Sequence, residues 1–262
     1  MGSKRLDVLL VEKGLASSRE NAKKLIESGR VTVDGKVVTK ASKATEDEAE
    51  ITAQQDKYVS RGALKLEKAL EEFAIDPQGK RFMDCGASTG GFTDLLLQNG
   101  AEHVWAVDVG TSQLAQKLME DDRVTSIENT NIRYMDKADW MDGIDGVVID
   151  VSFISVTLIL QRLFEILPKS AFYVVLIKPQ FEAGREALNK HGIVKDKKAH
   201  IGAIEKVLGL VRQYGYGIGG ITSSPIKGGD GNVEYLLYFG GECGEKTYLP
   251  TLDSLVSDAL AK

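Results

Sequence analysis

The chain has 262 residues, 43% of them hydrophobic and 27% charged, with a net charge of −5; that is room for one large globular domain, or for a medium domain and a small one. Nothing approaches the ~20 apolar residues of a membrane-spanning helix; the start, Met1-Gly2-Ser3-Lys4-Arg5-Leu6, leads into no signal-like apolar region and lacks the Ser or Thr of a myristoylation pattern. Two cysteines (Cys85, Cys243), three scattered histidines and no CxxC pattern exclude a disulfide framework and a zinc-type metal site, and point to a reducing compartment and a cytoplasmic enzyme.

Leu6, Leu9, Leu10 and Leu15 predict a short first helix ending near Gly14. Ser17 or Ser18 can cap a second over residues 19–28, with Ala22, Leu25 and Ile26 on its buried face and Gly29 as its stop. Residues 31–38 read as a hairpin around Asp34-Gly35, and an acidic stretch over 46–52 leads to a last short strand. Up to Ala44 ten basic residues face five acids, a net +5, so the rest of the chain carries about −10. That asymmetry suggests a module facing nucleic acid. Arg5-Leu6-Asp7, Ser18-Arg19 and Gly29-Arg30-Val31-Thr32-Val33-Asp34-Gly35 together resemble the S4 RNA-binding domain, over about residues 4–57. The resemblance implies a basic RNA-facing surface carrying Arg5, Arg19, Lys23, Lys24 and Arg30.

Residues 54–57 read as a linker. A helix follows over 62–73 with Leu66, Leu70 and Phe73 on one face. Strands are expected near 81–85, 103–108, 124–127, 145–150, 172–178, 216–222 and 233–239, with helices notably over 152–167 and 198–213. Apolar strands alternating with helices indicate a parallel sheet covered on both faces. The last two strands are joined by residues 225–232, too short for a right-handed crossover, so they form an antiparallel hairpin. The expected architecture is α/β, a seven-stranded Rossmann-like sheet with an antiparallel last strand, behind a small α+β domain. The boundaries fall at 1–57, 58–242 and a tail or helix over 243–262.

Between the first two of these strands lies Asp84-Cys85-Gly86-Ala87-Ser88-Thr89-Gly90-Gly91-Phe92. A glycine-rich turn from strand to helix lets a ligand approach the backbone. The next strand ends at Asp108, placed to accept hydrogen bonds from a ribose. This fits NAD and S-adenosylmethionine alike; the final antiparallel hairpin favours the second, because it is similar to the end of the methyltransferase sheet.

The motif at 84–92 resembles the first motif of FtsJ-type ribose methyltransferases. That resemblance implies a catalytic Lys-Asp-Lys-Glu tetrad, whose positions here are Lys65, Asp150, Lys178 and Glu234. Lys65 lies in a Ser60-Arg61-x-x-x-Lys65-Leu66 helix, with Arg61 joining the RNA-facing set. Asp150 and Lys178 end parallel strands, and Glu234 is expected inside the last strand. A lysine removes a proton from a ribose hydroxyl only when neutral; a second ammonium and desolvation favour that form, and a carboxylate opposes it. Lys178 is therefore expected as base or orienting group with Asp150 bonded to it, and Lys65 and Glu234 as the groups that place the ribose. Asp84, Gly86, Ala87, Ser88, Gly90, Gly91 and Phe92 are expected at the methionine end of the cofactor, and Asp108 with Val109 at its ribose. Asn131 stands where the family often has an Asp near the adenine, with Glu128 and Asn129 as alternatives. The loop over 181–200 is a candidate cover for substrate RNA.

The combination, with the segments 223–228 and 231–236, resembles the TlyA (hemolysin A) family across nearly the whole chain. It implies methylation of ribosomal RNA, on a cytidine 2′-hydroxyl, in free RNA or ribosomal subunits. Two rivals come from other classes. A membrane-active hemolysin would need an export signal and an amphipathic or spanning segment, and an RNA-binding ribosome-assembly factor would carry the same domains with an inactive site.

Overall fold

The chain divides into two units, Met1–Lys57 and Tyr58–Lys262. The computed structural model describes residues 2–16, 18–54, 56–240 and 250–262, so Ser17, Cys243 and part of the expected tail lie outside the described residues.

In the first unit β1 (Ser3–Arg5) leads into α1 (Leu6–Glu12) and α2 (Arg19–Glu27), followed by β2 (Val31–Val33), β3 (Lys36–Val37), β4 (Ala44–Glu46) and β5 (Ile51–Ala53). Ser18 caps α2, accepting a hydrogen bond of 3.1 Å from the Asn21 backbone N–H, which satisfies one of the helix's free amides. β2 turns into β3 through Asp34 (φ 50°) and Gly35 (φ 74°), the paired left-handed conformation of a type I′ hairpin turn. β2 is the centre of a three-stranded antiparallel sheet, flanked by β3 and β5. Leu6, Leu10, Ala22, Leu25, Ile26, Val31 and Val33 form the core. The pairing of β1 with β4 has no counterpart in the sequence reading, because all three β1 residues are exposed and leave no apolar alternation.

The second unit begins with α3 (Ala63–Glu72), β6 (Arg81–Cys85), α4 (Gly91–Gln98), β7 (His103–Val107), α5 (Gln116–Met119), β8 (Val124–Ile127) and β9 (Gly146–Ile149). It continues with α6 (Val156–Ile166), β10 (Phe172–Ile177), α7 (Pro179–Glu182), α8 (Lys197–Gln213), β11 (Gly217–Ser223), β12 (Tyr235–Gly240) and α9 (Leu252–Ala261). The seven strands form one sheet in the order β11-β12-β10-β9-β6-β7-β8. β8, β7, β6, β9 and β10 run parallel, while β12 is antiparallel to both β10 and β11.

Strand interiors such as Val147-Val148-Ile149 and Val174-Val175-Leu176-Ile177 are buried throughout, as expected of strands covered on both faces. One face packs on α6, α8 and α9, the other on α3 and α4. The helix of the expected tail is thus part of this unit, with Leu255, Val256 and Ala259 in its core. From β6 the chain fills the sheet in one direction to β8, then returns to β9 on the other side of β6. That reversal puts the crevice of an open α/β sheet at the carboxyl ends of β6 and β9. Among the described residues, no helix is long and apolar enough to cross a membrane.

Candidate active site

The loops after β6, β9 and β10 meet in that crevice. After β6, Gly86 has φ 82°, and a Cβ on it would sit 2.7 Å from the Asp150 carbonyl oxygen; only glycine lets the two loops come this close. A Cβ on Gly91 would collide with the Ser60 hydroxyl. Gly90 (φ 91°) serves packing instead, since a Cβ there would meet Leu114 and Leu118. Asp84 is 1% exposed. Its Oδ2 accepts from the Thr93 N–H at 3.0 Å and the Thr93 hydroxyl at 2.7 Å, while its Oδ1 has no partner. Burial raises its pKa to about 7, with the nearby Asp150 and Asp108 charges adding to the rise and the Thr93 bonds opposing it.

Two cavities share the wall formed by Gly86, Ser88, Asp150, Ser152 and Phe153. The first, about 270 Å³, is lined also by Lys65, Asp84, Ala87, Gly91, Phe92, Lys178, Gln180 and Glu234. The second, about 430 Å³, takes in Asp108, Val109, Thr130 and Asn131. Asp108 accepts from the Ser88 N–H at 2.8 Å and the Gly110 N–H at 2.7 Å, which aims its carboxylate across the glycine-rich turn. Of the three adenine-side candidates, Asn131 lines this cavity. Glu128 and Asn129 line neither; the Glu128 carboxylate is turned to the Ser112 N–H at 2.8 Å.

Lys65, Asp150, Lys178 and Glu234, far apart in sequence, form one ion-paired chain. Lys178 Nζ lies 2.6 Å from Asp150 Oδ1, Lys65 Nζ lies 3.4 Å from Asp150 Oδ2, and Lys65 Nζ lies 2.7 Å from Glu234 Oε2. Lys178 also donates to the Ser152 hydroxyl at 2.7 Å. Both lysine side chains are 9% exposed and Glu234 is 2% exposed. Two cations and two carboxylates balance, which is what permits such burial. Glu234 stands one residue ahead of β12, not inside it; the turn brings it so close that a Cβ on Gly228 would lie 2.6 Å from Glu234 Oε1.

Several cavity residues carry no signal in the sequence. Ser152 and Gln180 are brought in by the fold alone, while Ser60 belongs to the Ser60-Arg61 pattern and Phe181 opens the loop over 181–200. Phe153 is 90% exposed with φ 64°, an unfavourable conformation for a bulky residue, and its ring lies 5.4 Å from that of Phe181. Glu182 carries no sequence signal either. Its carboxylate accepts from the Ser155 hydroxyl at 2.5 Å, the Val156 N–H at 2.6 Å and Lys206 at 3.0 Å, and so ties the Lys178 loop to the start of α6. Among the described residues, no His/Cys/Asp/Glu cluster could hold a metal ion.

In the first unit Asp7 is fully buried beneath Arg5, which it holds through two bonds of 2.9 Å, and Arg19 at 3.4 Å. These bonds, the Arg5 pair foremost, lower its pKa to about 2. Arg30 is paired with Asp56. Lys23 and Lys24 are exposed, as is Arg61 in the second unit.

Residues 58–241 match the FtsJ-like methyltransferase family and residues 4–51 the S4 domain. The chain is 47% identical to a candidate rRNA methyltransferase, YqxC of Bacillus subtilis, over 94% of this chain and 89% of that one. It is 40% identical to the 16S/23S rRNA (cytidine-2'-O)-methyltransferase TlyA of Mycobacterium tuberculosis, over 98% of this chain and 97% of the relative. A solved structure of a candidate hemolysin from Streptococcus thermophilus superposes with a TM-score of 0.74 at 42% identity, covering 99% of this chain and 96% of that one. The chain belongs to the FtsJ-like methyltransferase family, with an S4 domain ahead of the catalytic fold.

Proposed function

We propose that this protein transfers the methyl group of S-adenosylmethionine to a cytidine 2′-hydroxyl of ribosomal RNA. The observation that carries the reading is the Lys65–Asp150–Lys178–Glu234 chain, opening into the same crevice as the glycine-rich turn.

The residues present fit the methyl donor. Asp84 offers a buried carboxylate oxygen without a partner, matched to the ammonium of the methionine end. Gly86 and Gly91 leave the backbone open, Asp108 and Val109 border the place of a ribose, and Asn131 stands at the far end of the second cavity. S-adenosylmethionine, when bound, supplies an electrophilic methyl group on a sulfonium. Lys178 sits at the acceptor hydroxyl. It orients the oxygen as an ammonium and is the group placed to take the proton once neutral. Asp150 and Ser152 fix its direction, and Lys65 with Glu234 holds the ribose side. Orientation of this kind makes up much of the barrier reduction in a displacement reaction. Arg5, Arg19, Lys23, Lys24, Arg30 and Arg61 contribute to holding the RNA.

The test is incubation of the purified protein with methyl-labelled S-adenosylmethionine and ribosomal subunits, followed by digestion to nucleosides. Label recovered as 2′-O-methylcytidine supports the reading; label on a base, or none, overturns it.

A further inference from the structure

We infer that the segment 183–196, between α7 and α8, is an RNA-backbone contact built into the methyltransferase unit beside the acceptor cavity. The inference rests on the reading of the acceptor as RNA. Helix-to-helix connections are usually short, and loops above roughly 12–15 residues tend to have functions of their own.

This segment is a built object. Leu188 and Val194 form an antiparallel bridge. Inside it the Asn189 side chain accepts from the His191 N–H at 2.8 Å and the Ile193 N–H at 3.0 Å, and Gly192 (φ 74°) closes the turn. The tip is Lys190-His191-Gly192, all exposed.

Behind the tip stands Asn232, fully buried. It accepts from the Val194 N–H at 3.1 Å and donates to the Gly192 carbonyl at 3.0 Å. His200, also fully buried, donates from Nε2 to the Val194 carbonyl at 3.0 Å and accepts at Nδ1 from the Tyr235 hydroxyl at 2.9 Å. Burial lowers the His200 pKa, in keeping with a neutral ring that donates on one side and accepts on the other. The finger is therefore fastened on both sides of Glu234, by Asn232 and by Tyr235.

Its charge is set against its surroundings. Over residues 183–200, Arg185, Lys190, Lys195, Lys197 and Lys198 face only Glu186 and Asp196. The unit as a whole, from Tyr58 onward, has 22 basic and 28 acidic residues. Lys197 is used internally, by Asp253 at 2.6 Å. Lys190, Lys195 and Lys198 are exposed and carry no ion pair among the described residues. Cations held on a fixed backbone, next to a cavity for a ribose, match the phosphates flanking the target nucleotide. A membrane would require exposed apolar side chains on the segment, whereas Leu188 and Ile193 are half-buried.

The experiment is binding of the intact protein to purified ribosomal subunits, and to phosphatidylglycerol vesicles, for wild type and Lys190→Gln/Lys195→Gln across about 0.05–0.3 M salt. The expected result is a loss of subunit affinity on the order of tenfold, with the log–log salt slope shallower by roughly 1–2. Affinity for S-adenosylmethionine and melting temperature stay at wild-type values. Equal affinity and slope in the two proteins overturn the contact while leaving the proposed function standing. A variant that loses vesicle binding and keeps subunit binding also overturns it, and assigns the finger to a membrane surface. A wild type that binds no subunit overturns both readings together.

Discussion

On the proposed reading, Asp84 couples the cofactor pocket to pH. An aspartate in an unfolded chain titrates near 3.9, whereas the buried Asp84 does so at about 7. Between those values the folded protein keeps a proton that the unfolded chain has released. The stabilisation this gives is full below pH ~4, falls as pH rises, and is gone above about 7. Asp84→Asn is therefore expected to raise the melting temperature at pH 8, by roughly 2–4 °C for each kcal/mol recovered, while weakening cofactor binding. In the wild type, calorimetric affinity for S-adenosylmethionine should tighten as pH rises through 7, because the ionised carboxylate suits an ammonium. A pH-independent affinity would contradict the assignment. Phe153 makes the opposite kind of prediction. Its exposed ring and left-handed backbone contribute little to the core, so Phe153→Ala should leave the melting temperature within about 1–2 °C. Turnover on ribosomal subunits should fall by tenfold or so, through loss of an aromatic surface beside the acceptor, where stacking on a base is worth ~1–3 kcal/mol. Lys65, Asp150, Lys178 and Glu234 were legible because each lies in a recognisable local pattern. Phe153, Gln180 and Ser152 were not, because what marks them is exposure, an unpartnered amide oxygen and a bond to Lys178, all properties of the folded chain.

At the scale of elements, two connections hold the crevice in shape. The glycine-rich turn presses against the loop after β9 at Gly86, with no room for a side chain. Gly86→Ala adds both a collision with the Asp150 backbone and the strain of φ 82°. It should cost about 1–3 kcal/mol in denaturant unfolding and displace Asp150 enough to abolish cofactor binding. Glu182 makes the second connection: it caps α6 from the loop that carries Lys178, through the Val156 N–H and the Ser155 hydroxyl. Glu182→Ala leaves the buried Val156 N–H without its acceptor and removes the carboxylate from Ser155 and Lys206, and should cost about 1–3 kcal/mol by the same measurement. The strands of the large sheet were readable because burial on both faces makes each one a continuous apolar run. β1 and β4 were not, since β1 is exposed throughout and β4 buries only the polar Thr45. The apolar residues that follow Glu234 predict a place inside the strand; the structure has it in the turn, where Gly228 approaches its carboxylate.

The whole molecule separates two tasks, and its charge shows the division less simply than the first 44 residues suggest. Up to the unit boundary at Lys57, eleven basic residues face ten acids, because the acidic segment near Glu46–Glu50 belongs to the same fold. The first unit is thus almost neutral, and its basic character lies in where α2 and the Asp7-held arginines stand. In the second unit the reversal of strand order at β6 brings three loops to one edge of the sheet. Together with α3 and the turn before β12, those loops bring Lys65, Asp84, Asp150, Lys178 and Glu234 to one cavity. On the proposed reading Lys178 acts on the acceptor and not on the donor. This role is tested most directly by measuring S-adenosylmethionine affinity and methyl transfer to ribosomal subunits on the same preparations of wild type and Lys178→Ala. Affinity is expected within about twofold of wild type and turnover lower by about 10²–10⁴, the usual worth of a positioned acid–base group; turnover retained at the wild-type rate would overturn this role of Lys178.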